Sequence, residues 1–224
     1  MIIVHEGMPE EASKIGDALK IAYGFDSVAI SRDIQSAFIS LPEFCGFWGS
    51  SSELESELRE YAPKKVLVLT ARDIYFDNVS KSDDWVLGYN TGNLSVVSTA
   101  RLKRYDGEPS DVLQVPKDRY IKRLQAMAIH EIGHDVIKSP KFKIATWVNA
   151  QTGHTLWLGP HCTDNTCVMY EIVDIRAPNN NEGYMLLGEE KKFDAGLDDV
   201  LGRINPDWLC GECRSHTRID DSYI

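Results

Sequence analysis

His130, Glu131 and His134 form an H-E-x-x-H pattern in a segment with helical periodicity. Residues four apart share one face of an α-helix, so both imidazoles can reach a single ion. Imidazole nitrogens ligate Zn²⁺ at about 2.0–2.1 Å, and the intervening carboxylate can act on a water molecule at the ion without being a ligand. The pattern therefore predicts a zinc centre with hydrolytic chemistry.

A catalytic zinc centre usually has three protein ligands and one open position, so a third ligand is needed. The compact pattern H-E-x-x-H-x-x-G-x-x-H would place it at position 140, which is a proline. The candidates further along the chain are His154 and His161. We favour His161, because a cysteine follows it directly, whereas His154 lies near the tip of a predicted hairpin.

The cysteines indicate a second centre. Their number is odd and the chain begins without the basic segment of a signal peptide, which favours free thiolates over a disulfide framework. Cys45 stands alone, and we expect it to be a small buried apolar residue. The other four occur as C-x4-C and C-x-x-C pairs, at Cys162, Cys167, Cys210 and Cys213.

These motifs together resemble the archaemetzincins, a family of zinc peptidases. The segment from His161 to Met169 reads H-C-x4-C-x-M, and Cys210-Gly211-Glu212-Cys213 supplies the later C-x-x-C. Leu67 to Ile74 resembles the family's central strand with its following loop, and Val97 to Leu102 resembles its edge strand. The resemblance covers about two thirds of the chain.

The resemblance implies two zinc ions per chain, one catalytic and one structural. The ligands of the catalytic ion would be His130, His134 and His161, and those of the structural ion Cys162, Cys167, Cys210 and Cys213. Glu131 would be the general base, and Met169 would be the Met-turn residue beneath the metal.

The chain departs from the family at two places. His161 lies 161 − 140 = 21 residues beyond the compact position, and the segment from Met169 to Cys210 is long. Because loop insertions add little closure entropy, the site can be retained.

The patterning around these motifs alternates strands and helices. A β-α-β start is predicted, with strands at 2–4 and 27–30 and a helix at 9–23. The elements predicted after it are a helix at 52–61, a buried strand at 65–71, paired strands at 85–89 and 94–99, a long helix at 118–137 and a hairpin at 141–159. The remainder from Pro160 is expected to be irregular. The resemblance implies an α+β, metzincin-like fold with a mixed twisted sheet, an active-site helix and a small irregular C-terminal zinc-bound subdomain. It would form a single catalytic domain over 1–224, with subdomains 1–134 and 135–224.

Composition excludes several classes of protein. The chain has 224 residues, with 24 basic and 34 acidic side chains and a net charge of −10. It has no Lys/Arg block for nucleic acid and no apolar run long enough for a membrane. We therefore expect a cytoplasmic protein whose partner is a peptide or protein substrate, with an oligomeric state that the sequence leaves open.

Two functions remain at this point. The first is a zinc-dependent peptidase that holds an extended substrate along the strand near 96–100. The second is a zinc-stabilised binding protein without activity. The inserted residues would cover its metal with the tip at 150–153, or close the site with His154 as a fourth ligand.

Overall fold

The computed structural model describes residues 1–32, 40–41, 44–45, 56–75, 85–92, 94–148, 155–171, 183–186, 189–192 and 197–223. Among these residues no helix is both long and apolar enough to cross a membrane. In chain order the elements are β1 (Ile2–His5), α1 (Pro9–Tyr23), β2 (Val28–Ser31), β3 (Ser40–Leu41), β4 (Phe44–Cys45), β5 (Val66–Thr70), β6 (Ile74–Tyr75), β7 (Trp85–Val86), β8 (Gly88–Asn90), β9 (Leu94–Ser98), α2 (Lys117–Val136), β10 (Lys143–Val148), β11 (Thr155–His161), β12 (Gly183–Leu186), β13 (Glu189–Lys192), α3 (Leu197–Arg203) and α4 (Gly211–Ser215).

The chain starts with the predicted β-α-β unit, in which β1 and β2 pair in parallel and α1 connects them. Pro9 occupies the first turn of α1, where its missing N–H costs nothing, and two acidic residues follow it. Gly24 ends the helix in the left-handed conformation at φ 82°, which glycine adopts without steric penalty. Local signals in the sequence therefore determine this unit.

The main sheet is mixed and has five strands, in the order β2-β1-β5-β9-β8. Four of its strands are parallel and β8 runs antiparallel to β9. Every residue of β5 and β9 is buried, as expected for strands covered on both faces. With the helices described, this mixed sheet confirms the predicted α+β class.

The edge of this sheet differs from the prediction. The sequence predicts the edge near 96–100, but β9 pairs with β5 on one side and with β8 on the other. Within the part of the chain that the structure describes, the edge strand is β8, which a tight turn at Thr91 and Gly92 connects to β9. The predicted strand at 85–89 is split: Trp85 and Val86 pair with β6, and only the part from Gly88 pairs with β9.

The predicted helix at 52–61 is described only in its second half. Residues 56–57 are helical, and Arg59–Tyr61 form a short 3-10 helix. The first residues of that predicted helix, up to position 55, lie outside the described part of the chain.

The long helix α2 packs across the sheet and against α1, with a buried face that continues from Tyr120 to Val136. Arg123 is fully buried within it. Its guanidinium donates to the carbonyls of Leu102 and Arg104 and makes two hydrogen bonds to the carboxylate of Asp198 in α3. A buried charge needs such partners, and here they attach α3 to α2.

The segments 143–161 and 183–192 contain a second sheet, in the order β11-β10-β12-β13. The predicted hairpin is β10 with β11, which carries a register shift between Ala145 and Thr146. Strand β12 comes from the long segment after Met169 and pairs with β10. The expectation of an irregular region from Pro160 onward is therefore wrong, because β12, β13, α3 and α4 lie in it. Both strands are short, and β12 pairs with a strand that is distant in sequence, so periodicity alone could not identify them.

Candidate metal centres and active site

Three imidazoles meet at the junction of α2 and β11. The Nε2 atom of His130 lies 3.1 Å from that of His161 and 3.2 Å from that of His134. Three nitrogens around one tetrahedral zinc ion at ordinary bond lengths would lie about 3.3–3.4 Å apart. His130 and His134 come from successive turns of α2, and His161 is the last residue of β11.

Backbone carbonyls fix the orientation of these rings. Nδ1 of His130 donates to the carbonyl of Val168 at 2.8 Å, and Nδ1 of His161 donates to that of Gly159 at 3.0 Å. The His134 ring makes a backbone hydrogen bond to Pro160. With the proton on the nitrogen that faces a carbonyl, the Nε2 lone pairs of the three rings point at one another. Three converging lone pairs repel unless a cation lies between them, so this cluster fits a zinc ion.

Burial keeps the imidazoles neutral. Desolvation lowers the pKa of His130 to about 4, and desolvation together with the neighbouring His130 lowers that of His161 to about 3. The pKa of His134 also falls well below its ordinary value, chiefly through burial. Only the neutral ring offers a lone pair to a metal, so these rings are ready to act as ligands at neutral pH.

Glu131 is outside the cluster of three histidines and is 5% exposed. Burial raises the pKa of its carboxyl group to about 8. Its side chain lies against the edge strand at Gly88: a Cβ atom on Gly88 would be 2.8 Å from Cγ and 2.9 Å from Oε1 of Glu131. The carboxyl group is therefore enclosed between the helix and the edge of the main sheet.

Met169 lies beneath the helix that carries the histidines and is fully buried. It packs against Gly133, where an added Cβ atom would be only 2.1 Å from Sδ of Met169 and 2.8 Å from the hydroxyl of Tyr23. Tyr23 donates in turn to the carbonyl of Ile129 in the same helix. The glycine inside the H-E-x-x-H motif is thus what allows the methionine to approach.

The four clustered cysteines form the second candidate centre, and all are buried. Sγ of Cys162 lies 3.7 Å from that of Cys210, and Sγ of Cys167 lies 3.5 Å from that of Cys213. Tetrahedral Zn–S geometry would put the sulfurs about 3.8 Å apart. Backbone N–H groups of Asp164, Cys210 and Cys213 donate to sulfurs of the cluster, as they do to thiolates. The donor set and spacing fit a closed zinc site.

The two centres share one short segment of backbone. His161 and Cys162 are neighbours in sequence, and Val168, whose carbonyl orients His130, directly follows Cys167. The N–H of Cys162 donates to the carbonyl of Met169 and that of Val168 to the carbonyl of Trp208, which closes the segment into a rigid loop. A displacement of the cysteines would therefore move two residues of the histidine centre.

The C-terminal segment holds the end of α2. The N–H of Arg218 donates to the carbonyl of Val136 at 2.7 Å. Asp135, which follows the second histidine of the motif, accepts a 2.5 Å hydrogen bond from the buried hydroxyl of Tyr223 and pairs with Lys65 at 2.9 Å. These contacts fix the last turn of the helix, where His134 is located.

Several of these residues could not be identified from the sequence. The carbonyl acceptors at Gly159, Pro160 and Val168 have no sequence signature. The role of Gly88 could be predicted only if it were known which strand lies beside α2. His154, the tip at 150–153 and the side chain of Cys45 lie outside the described residues.

Comparison with solved structures identifies the fold. The chain is similar to an archaemetzincin from Methanopyrus kandleri, with 18% identity, a TM-score of 0.54 and coverage of 96% of this chain and 90% of that one. It is also similar to an archaemetzincin from Archaeoglobus fulgidus, solved in complex with malonate, with 21% identity, a TM-score of 0.52 and coverage of 96% of this chain and 99% of that one. A third similar structure is a zinc-dependent peptidase from Methanocorpusculum labreanum, with 16% identity, a TM-score of 0.51 and the same two coverages. No protein-family model and no curated protein matches the chain. The predicted resemblance to archaemetzincins is therefore confirmed for the fold.

Proposed function

We propose that this protein is a zinc-dependent peptidase of the archaemetzincin type. The observation that carries the proposal is the convergence of the Nε2 atoms of His130, His134 and His161, with backbone carbonyls fixing the ring orientations. Three neutral nitrogen ligands leave one position open on a tetrahedral ion, as catalytic zinc centres do. The zinc ion would supply a Lewis acid that polarises the scissile carbonyl and makes water acidic at neutral pH.

In this proposal Glu131 is the general base. It lies next to a ligand on the same helix, and its carboxyl group is buried at the sheet edge rather than pointed into solvent. A zinc ion close to Glu131 would lower the pKa that burial raises, and so favour the carboxylate form. The carboxylate would accept a proton from the attacking water and pass it to the nitrogen of the leaving amine. The three carbonyls that accept from the imidazoles keep the rings fixed while this proton moves.

The substrate would be an extended peptide paired with the outer edge of β8. Among the residues that the structure describes, this strand has one neighbour in the sheet, and its first residue lies against Glu131. Addition of a peptide strand to an exposed sheet edge uses main-chain hydrogen bonds and so tolerates many side chains. The position replaces the one that the sequence indicated, since β9 is already paired on both sides.

The proposal includes a second, structural zinc ion held by the four cysteines. A closed tetrahedral thiolate site stabilises a fold without activating water. We further propose that the chain is one catalytic domain, with subdomains meeting at the metal centres, and that it works in the reducing cytoplasm, where thiolates stay free.

Two measurements test this function. Elemental analysis of protein purified under reducing conditions should give about two zinc ions per chain, as the two ligand clusters require. A fluorogenic peptide library should be hydrolysed by the wild type and by the surface control E10Q, while E131Q should keep its zinc and its thermal stability and lose at least about 100-fold in kcat. Hydrolysis by E131Q at the rate of the wild type would refute the assignment of the base.

A further inference from the structure

Gly88 is the first residue of the edge strand and lies against Glu131. A Cβ atom at this position would be 2.8 Å from Cγ and 2.9 Å from Oε1 of the glutamate. Carbon atoms in van der Waals contact are about 3.5–4.0 Å apart, so a side chain here and the observed Glu131 cannot coexist. Oε1 belongs to the carboxyl group of Glu131, and Cγ is the methylene carbon that carries this group.

Backbone conformation does not explain this glycine. Gly88 is not among the residues with positive φ, so other residue types could adopt its backbone geometry. Its position instead requires space, toward Glu131 and toward the carbonyl of Val96, which would lie 2.7 Å from the added atom. Gly202 in α3 provides a contrast, since a Cβ atom there would meet nothing within 4 Å.

We propose that Gly88 is a positioning residue for the reaction, and that its missing side chain forms the niche that receives the carboxyl group of Glu131. The inference rests on the proposed function and deepens it. The niche joins two parts of the site that are distant in sequence, the base on α2 and the strand with which a peptide would pair. Their contact sets where the base lies relative to the main chain of a substrate on that strand.

The effect on turnover follows from this contact. In G88A the carboxyl group must move by about 1 Å to reach ordinary contact distance, and a misplacement of that size costs up to about 100-fold in rate. We expect kcat to fall at least about tenfold with zinc content unchanged and KM within about threefold of the wild type. The helix control G202A should turn over like the wild type.

The contact with Val96 must be separated from the contact with Glu131, and a double-mutant cycle does this without any assay of activity. G88A should lower the Tm by about 2–8 °C, as expected for an overpacked site in a chain of this length. In the E131A background, where the side chain that fills the niche is absent, the same substitution should cost less than half as much.

Each outcome decides the proposal. Equal losses of Tm in the two backgrounds would show that the added methyl group meets only the neighbouring strand, and they would overturn the niche. A G88A variant with the kcat of the wild type would overturn the positioning role. A wild type without peptidase activity would overturn the proposed function and with it that role, while the cycle of Tm values would still decide whether the niche exists.

Discussion

Replacement of Gly133 by alanine tests the packing beneath the active-site helix. The added Cβ atom would lie 2.1 Å from Sδ of Met169, 2.9 Å from its Cε and 2.8 Å from the hydroxyl of Tyr23. Met169 is fully buried and Tyr23 is 7% exposed, so neither side chain can move into solvent. The helix or the methionine must therefore shift.

The expected loss of stability combines two opposing effects. Overpacking of a dense core costs about 1–3 kcal/mol, and an overlap this deep lies at the upper end of that range. Alanine gains about 1 kcal/mol over glycine within a helix, which offsets part of the cost. The net loss of about 2 kcal/mol corresponds to a fall in Tm of about 4–8 °C for a chain of this size.

Thermal unfolding followed by circular dichroism measures this change. G202A is the matched control, because it makes the same substitution in a helix where the new atom meets nothing within 4 Å, and its Tm should stay equal or rise slightly. In a chain that carries M169A, the substitution G133A should lower the Tm by less than it does in the wild type. A Tm of G133A equal to that of the wild type would refute the close packing of Gly133 and Met169.

Three further perturbations follow from the contacts of the two centres and the helix. C213S should reduce zinc by one ion per chain. It should also weaken zinc binding at the histidine centre about tenfold or more, since Val168, whose carbonyl orients His130, follows Cys167 of the cysteine cluster. Competition with a chelator measures the zinc affinity, and C45S is the control. R123M should lower the free energy of unfolding, measured in urea, by about 3 kcal/mol, because it leaves Asp198 and two carbonyls without their buried donor. R119M, which changes a half-exposed side chain, is the control and should change this free energy little. Y223F should lower the free energy of unfolding by about 1–2 kcal/mol, because it removes the hydrogen bond to Asp135. Y105F, at an exposed tyrosine, is the control, and equal stabilities of the two variants would contradict the role given to Tyr223.

The parts of the site that depend on short spacings could be predicted from the sequence. The separation of His130 and His134 places both rings on one helix face, and the cysteine next to His161 distinguishes it from His154. The structure groups the seven side chains into the two clusters that the motifs indicate. Such patterns are readable because a helical turn or a tight loop converts separation along the chain directly into distance.

The features that depend on distant pairings could not be predicted. Both β8 and β9 have strand composition, and composition does not say which one acquires a second partner, so the edge predicted near 96–100 is wrong. Strand β12 could not be predicted because it pairs with β10, about 40 residues earlier in the chain, and β13 joins this sheet only through β12. The carbonyls that orient the imidazoles belong to the backbone, which is chemically the same at every position.

The pairing of β10 with β12 also determines how the chain can be shortened. Strand β12 covers one edge of β10, and β13 pairs with the other edge of β12. Deletion of 183–192 alone would expose the edge of β10 that pairs with β12. The expected outcome is intermolecular strand pairing and aggregation rather than a shorter folded chain.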